Sequence, residues 1–154
     1  MAASRHSVIA ARALLACSVL LLTGCGAAHD AILSGAETRT SIELSAKERE
    51  RMRGGMRLYL ECIEGITEAL GENSMAGVGR NAKRCGMDMV EDVSLADVMT
   101  LPPEFLALSL DTHQKFDGLA HEAAERGTKS SALKQLGAIL ANCTACHAAY
   151  RLAP

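Results

Sequence analysis

The chain has 154 residues, of which 49% are hydrophobic and 22% charged, with a formal net charge of −2. That length holds one domain and excludes a multidomain enzyme, while a charge so near zero, with no run of Lys and Arg, excludes nucleic acid as the main partner. Aromatic residues make up only 3%, namely Tyr59, Phe105, Phe116 and Tyr150, with no Trp. A core with so few large rings must be filled by aliphatics, methionines or a non-protein group.

Residues 1–24 read as an export signal. Arg5 and Arg12 precede the apolar run 13–22, which is too short to span a bilayer and suits the apolar segment of a signal peptide. The run ends in Leu22-Thr23-Gly24-Cys25, which resembles the lipobox of bacterial lipoproteins, where the cysteine is lipidated and becomes the first residue. An ordinary cleaved signal and an uncleaved short anchor are the competing readings. Removing residues 1–24 takes away two of the 16 basic residues and none of the 18 acidic ones, leaving a net charge of −4. Residues 25–44, rich in Ala, Ser, Thr and Gly, read as a lipid-anchored tether with His29 solvated, and the exported location permits disulfides.

Residues 45–154 read as helix throughout. Ser45-Ala46-Lys47-Glu48 is a capping-box pattern, followed by an inward stripe of Met52, Met56, Tyr59, Ile63, Ile66 and Leu70 that Gly71 closes. After Glu72-Asn73-Ser74 a second stripe runs through Met75, Val78, Ala82, Cys85 and Met89. Pro102-Pro103 opens a third helix, with Phe105, Leu108, Thr112, Phe116, Leu119 and Ala123 inward and Gly127 as its stop. The fourth follows Thr128 or Ser130 as N-cap, with Leu133, Leu136, Leu140, Cys143, His147 and Tyr150 inward. Short connections within each helix pair and a longer passage at 93–102 predict an all-α fold, an antiparallel four-helix bundle.

Near the C-terminus stands Cys143-Thr144-Ala145-Cys146-His147, a C-x-x-C-H haem-attachment motif. On a helix these positions share a face, so both sulfurs can bond one haem while His147 reaches its iron. A thiol-redox pair would gain from a helix N-terminus, whereas this motif lies near a C-terminus, where the dipole opposes a thiolate. A zinc site could draw on Cys62 and Cys85, but those lack ligand spacing to each other. A haem would also supply the missing flat apolar mass.

With Ala148-Ala149-Tyr150-Arg151 following the motif on the last helix, the chain resembles the cytochrome c′ family and its methionine-ligated low-spin relatives. The resemblance spans about residues 45–152, with only the C-terminal motif specific and the first three helices matching by pattern. It implies one covalent haem c inside the bundle, His147 as proximal ligand, a distal residue from the first helix, and electron transfer or binding of small gases such as nitric oxide. Met56 matches the family's first-helix position best; Met52, Met87, Met89 or no methionine at all are the alternatives. Gly54-Gly55 beside it would let a flat macrocycle lie against bare backbone. Arg49 and Arg53 are the preferred neighbours for the haem propionates, a solvated basic face being the other reading. Tyr150 and Arg151 belong to the haem environment, Arg151 matching the family's proximal-side arginine.

His113 and His121 read as surface or satisfied polar residues rather than ligands. Cys17 leaves with the signal, which leaves Cys62 and Cys85 at equal distance from the 71–74 turn, either bridged as a disulfide or buried as two thiols. The expectation is a lipid-anchored c-type cytochrome without enzymatic activity, transferring single electrons to a redox partner protein in the bacterial cell envelope. A five-coordinate haem that binds nitric oxide or another gas is the alternative. Gly26 after the lipidated cysteine leans toward the outer membrane by resemblance to enteric lipoproteins, and the sequence leaves open whether the chain is a monomer or a homodimer.

Overall fold

The structure is a computed structural model and describes residues 37–91, 93 and 98–154. The export signal, Cys25 and the tether up to residue 36 lie outside the described residues. Four α-helices are described in full: α1 (Ala46–Gly71), α2 (Met75–Lys83), α3 (Pro103–Glu125) and α4 (Lys129–Ala149), so the fold is all-α in character. Two three-residue strands, β1 (Thr40–Ile42) and β2 (Tyr150–Leu152), and a short 3-10 helix (Met87–Val90) complete the elements. None of the described helices is long and apolar enough to cross a membrane.

Local chemistry sets most of the helix ends. The Ser45 hydroxyl accepts from the Glu48 N–H while the Glu48 carboxylate accepts from the Ser45 N–H at 2.7 Å, a reciprocal cap that starts α1. Thr128 and Ser131 cap α4 by the same exchange. The stop of α1 differs from the expectation. Gly71 stays helical, and Asn73 takes the left-handed conformation with φ 57°. The Ser74 N–H then reaches the Ala69 carbonyl at 2.8 Å and the Asn73 N–H that of Leu70 at 3.3 Å, which closes the helix in a Schellman turn.

Helix α2 is shorter than its apolar stripe implies. It ends at Lys83, and Cys85 and Met89 follow outside it, because the Asp117 carboxylate intercepts the chain. Asp117 accepts from the Met87 N–H at 2.9 Å and from Lys83 Nζ at 3.1 Å. A Cβ on Gly86 would lie 2.1 Å from Asp117 Oδ1, so only glycine admits this approach.

Helix α1 packs on α2, α2 on α3, and α3 on α4. The core runs from Cys62, Ile66 and Leu70 through Val78 and Ala82 to Phe116 and Leu119, and on to Leu136 and Ile139. It draws on the second halves of α1 and α3 and the first half of α4, and thus fills only one end of the helical assembly. A covalent tie joins Cys62 to Cys85, with the Cα atoms 6.4 Å apart.

Two further features depart from the sequence reading. The face of α4 turned inward carries Ala132, Leu136, Ile139 and Asn142, whereas Leu133 and Leu140 are 51% and 42% exposed. Apolar residues lie on two adjoining stripes of this helix, so periodicity alone does not choose between them; Asn142, which finds polar partners on α3, does. The tether also ends earlier than residue 44. Thr40, Ser41 and Ile42 pair in parallel with Tyr150, Arg151 and Leu152, and Ile42 is buried. Residues 39–154 accordingly form the folded unit.

Candidate functional site

The C-x-x-C-H segment occupies the last two turns of α4. Cys143 and Cys146 are free thiols of intermediate exposure, and His147 is exposed. Burial pushes both thiols above their ordinary range, with the neighbouring Cys143 raising Cys146 further. A neutral thiol at a helix C-terminus is a poor nucleophile, which disfavours thiol-disulfide chemistry at this pair.

Opposite the core, the start of α1 and the start of α3 border two cavities, and the end of α4 borders one of them. One, of about 230 Å³, brings Met52, Met56 and Phe105 to the same walls as Cys146, His147 and Arg151. The other, of about 370 Å³, lies among α1, the Met87–Val90 turn and α3, and is mainly apolar, with Met87, Met89, Tyr59 and His113 in its walls. Met52, Met56 and Phe105 line both. The two methionines of α1 therefore share a cavity with the motif histidine; Met87 and Met89 line only the larger one.

Strand pairing closes this end over the motif. After α4 stops at Ala149, Tyr150 enters β2 rather than continuing the helix, and its ring meets Phe105 edge-on at 5.3 Å. Arg39 Nη1 donates to the His147 carbonyl at 3.4 Å. Arg151 Nε, in the wall of the smaller cavity, is buried without a hydrogen-bond partner. A buried N–H without an acceptor costs on the order of 1–3 kcal/mol, so an anionic group at this place would relieve it. The two arginines favoured from sequence are placed otherwise. Arg49 Nη1 donates to the Ala153 carbonyl at 2.9 Å, which ties α1 to the C-terminus, and Arg53 is exposed and lines neither cavity. Of the glycine pair, Gly55 lines the larger cavity and its bare backbone takes the Met89 methyl, which would lie 3.2 Å from an added Cβ.

Two polar clusters, the first beside the motif and the second in the wall of the larger cavity, were not singled out by the sequence reading. Asn142, directly before Cys143, is 8% exposed and donates to Asp111 Oδ2 at 2.7 Å and to Thr112 Oγ1 at 3.1 Å, while Lys115 Nζ donates to its carbonyl oxygen at 3.0 Å. Lys115 also pairs with Asp111, whose carboxyl is held below the usual range by the bonds from Lys115 and Asn142. The second cluster is Tyr59 with His113. The Tyr59 hydroxyl lies 2.7 Å from His113 Nε2, and His113 Nδ1 lies 2.9 Å from the Cys85 carbonyl. His113, expected to be a surface or satisfied polar residue, is of the second kind at 2% exposure, and His121 is exposed and pairs with Glu125. The position of His113 was legible as the residue beside Thr112 and three before Phe116 on the inward stripe of α3; its partners were not. Burial raises the Tyr59 phenol well above its ordinary range.

Comparison with protein-family models, with characterised proteins and with solved structures finds no match to this chain.

Proposed function

We propose that this protein is a c-type cytochrome of the bacterial cell envelope, an antiparallel four-helix bundle that carries one haem c on Cys143 and Cys146 and transfers single electrons. On this reading His147 is the proximal ligand and Met56 the distal one, and the mature chain is anchored by lipid on Cys25, with the outer membrane favoured. The observation that carries it is the shared cavity. Met56, from the first helix, and Cys146 and His147, from the last, line the same 230 Å³ space, so one flat group could meet all three. The buried, unpartnered Arg151 Nε in that wall suits a propionate. The two cavities at this end suit a large apolar insert, and the two cysteines are free, as thioether formation requires.

Haem supplies the one-electron couple, and methionine with histidine raises its reduction potential. The chain's own residues hold the site. Cys143 and Cys146 fix the group to α4, Phe105 and Met52 exclude water from its faces, and Arg151 offers a cation to its carboxylates. The β1–β2 ladder keeps the segment before α1 against the end of α4. A redox partner protein would dock at the exposed motif edge, and no catalytic acid–base pair is assigned. A five-coordinate gas-binding haem is the second reading, favoured by the apolar cavity of about 370 Å³ that adjoins Met52 and Met56.

The test is maturation in an export-competent host. The expected product carries covalent haem with a low-spin, methionine-ligated ferric spectrum that Met56→Ala abolishes. A spectrum unchanged by Met56→Ala would transfer the ligand role to Met52, and a high-spin ferrous form that takes up CO would favour the gas-binding reading. Wild-type protein without covalent haem would overturn both.

A further inference from the structure

We propose that Tyr59 and His113 act as a positioning pair for the group attached at Cys143 and Cys146, His113 fixing the direction of the Tyr59 hydroxyl so that its oxygen, not its proton, is left for the cavity that Tyr59 shares with Met56. The inference rests on the functional reading above. It starts from the Cys85 carbonyl, which can only accept. His113 Nδ1, 2.9 Å away, must therefore carry the ring proton and donate to it. In the neutral ring Nε2 is then an acceptor, and the Tyr59 O–H at 2.7 Å donates to it.

Each member is held from outside the pair. Cys85 is tied to Cys62 of α1, the Tyr59 ring stacks on Phe116 with centroids 5.7 Å apart, and His113 is 2% exposed. With the His113 ring neutral, the chain of bonds has one arrangement of protons, and it leaves the Tyr59 lone pairs for any group beside it. Tyr59 lines the larger cavity together with Met52 and Met56, the two methionines that line the smaller one with Cys146 and His147. Partial negative charge at the haem edge favours the more positive, ferric form and so lowers the reduction potential. A pair retained only for packing would have no such effect. Buried polar groups cost stability relative to apolar ones of equal shape, and this pair sits where the attached group would feel its field.

Tyr59→Phe keeps the ring and its stacking and removes only the oxygen; its holoprotein is expected to show a raised midpoint potential with an unchanged ligand-field spectrum. His113→Phe, which frees the phenol proton to turn toward the haem, should raise the potential too. The double variant should match Tyr59→Phe, because the histidine acts through the tyrosine. In the wild-type holoprotein, nitrogen NMR should find the His113 proton on Nδ1. A potential unaffected by Tyr59→Phe in haem-loaded protein, or a proton on Nε2, overturns this proposal and leaves the functional reading standing. A wild type without covalent haem overturns the functional reading and this proposal with it.

Discussion

Asn142 sets the rotation of α4 and with it the direction in which the next residue, Cys143, points. Its amide is matched on both sides, donating to Asp111 and Thr112 and accepting from Lys115. Truncation leaves the Thr112 hydroxyl and the Lys115 ammonium with fewer partners in a half-buried place. Asn142→Ala is therefore expected to lower the unfolding free energy by about 1–3 kcal/mol, measured by urea denaturation of the apoprotein. An unchanged midpoint would show that α4 is oriented by apolar contacts alone. At this scale the motif itself was legible from sequence, because its spacing is local. The residues that aim it were not, since Asp111, Thr112 and Lys115 stand about thirty positions away. The arginines repeat the lesson. Arg49 and Arg53 stood a turn apart near Met56, but the fold directs Arg49 to a backbone carbonyl and leaves the unsatisfied nitrogen on Arg151.

Among the elements, starts were easier to read than stops. A cap needs a hydroxyl and a partner three residues on, which Ser45 and Thr128 supply within their own turns. The stops depend on what the chain meets next. Asn73 ends α1 in place of Gly71 because the turn also has to present Ser74 as the cap of α2. Asp117 ends α2 from another helix. Helix α4 also carries a removable weakness. Gly137 is exposed in mid-helix, and a Cβ there would meet nothing within 4 Å. Gly137→Ala should stabilise the fold by about 1 kcal/mol, read as a higher thermal midpoint of the apoprotein. A loss of stability would mean that helix propensity does not govern this position.

At the scale of the whole folded unit, residues 39–154 divide into a packed end and a hollow one. Cys62 and Cys85 belong to the packed end, where their bond closes a loop over a sequence separation of 23. Replacing both by Ala is expected to cost about 3 kcal/mol by denaturant unfolding. Before reduction, thiol titration of haem-loaded wild type should find no reactive cysteine in residues 39–154, and two after it. The hollow end brings Cys146 and His147 together with Met52, Met56 and Phe105, and the domain, with four aromatic rings, leaves two cavities there. The sequence by itself determined the helical character, the caps and the C-x-x-C-H segment, because each depends on residues within a few turns of one another. Only the tertiary structure decided which stripe of α4 faces inward, which methionines share a cavity with His147 and that a buried nitrogen of Arg151 is left without a hydrogen-bond partner. Those outcomes depend on side chains distant in sequence competing for the same space and the same hydrogen bonds, and no local period records that competition.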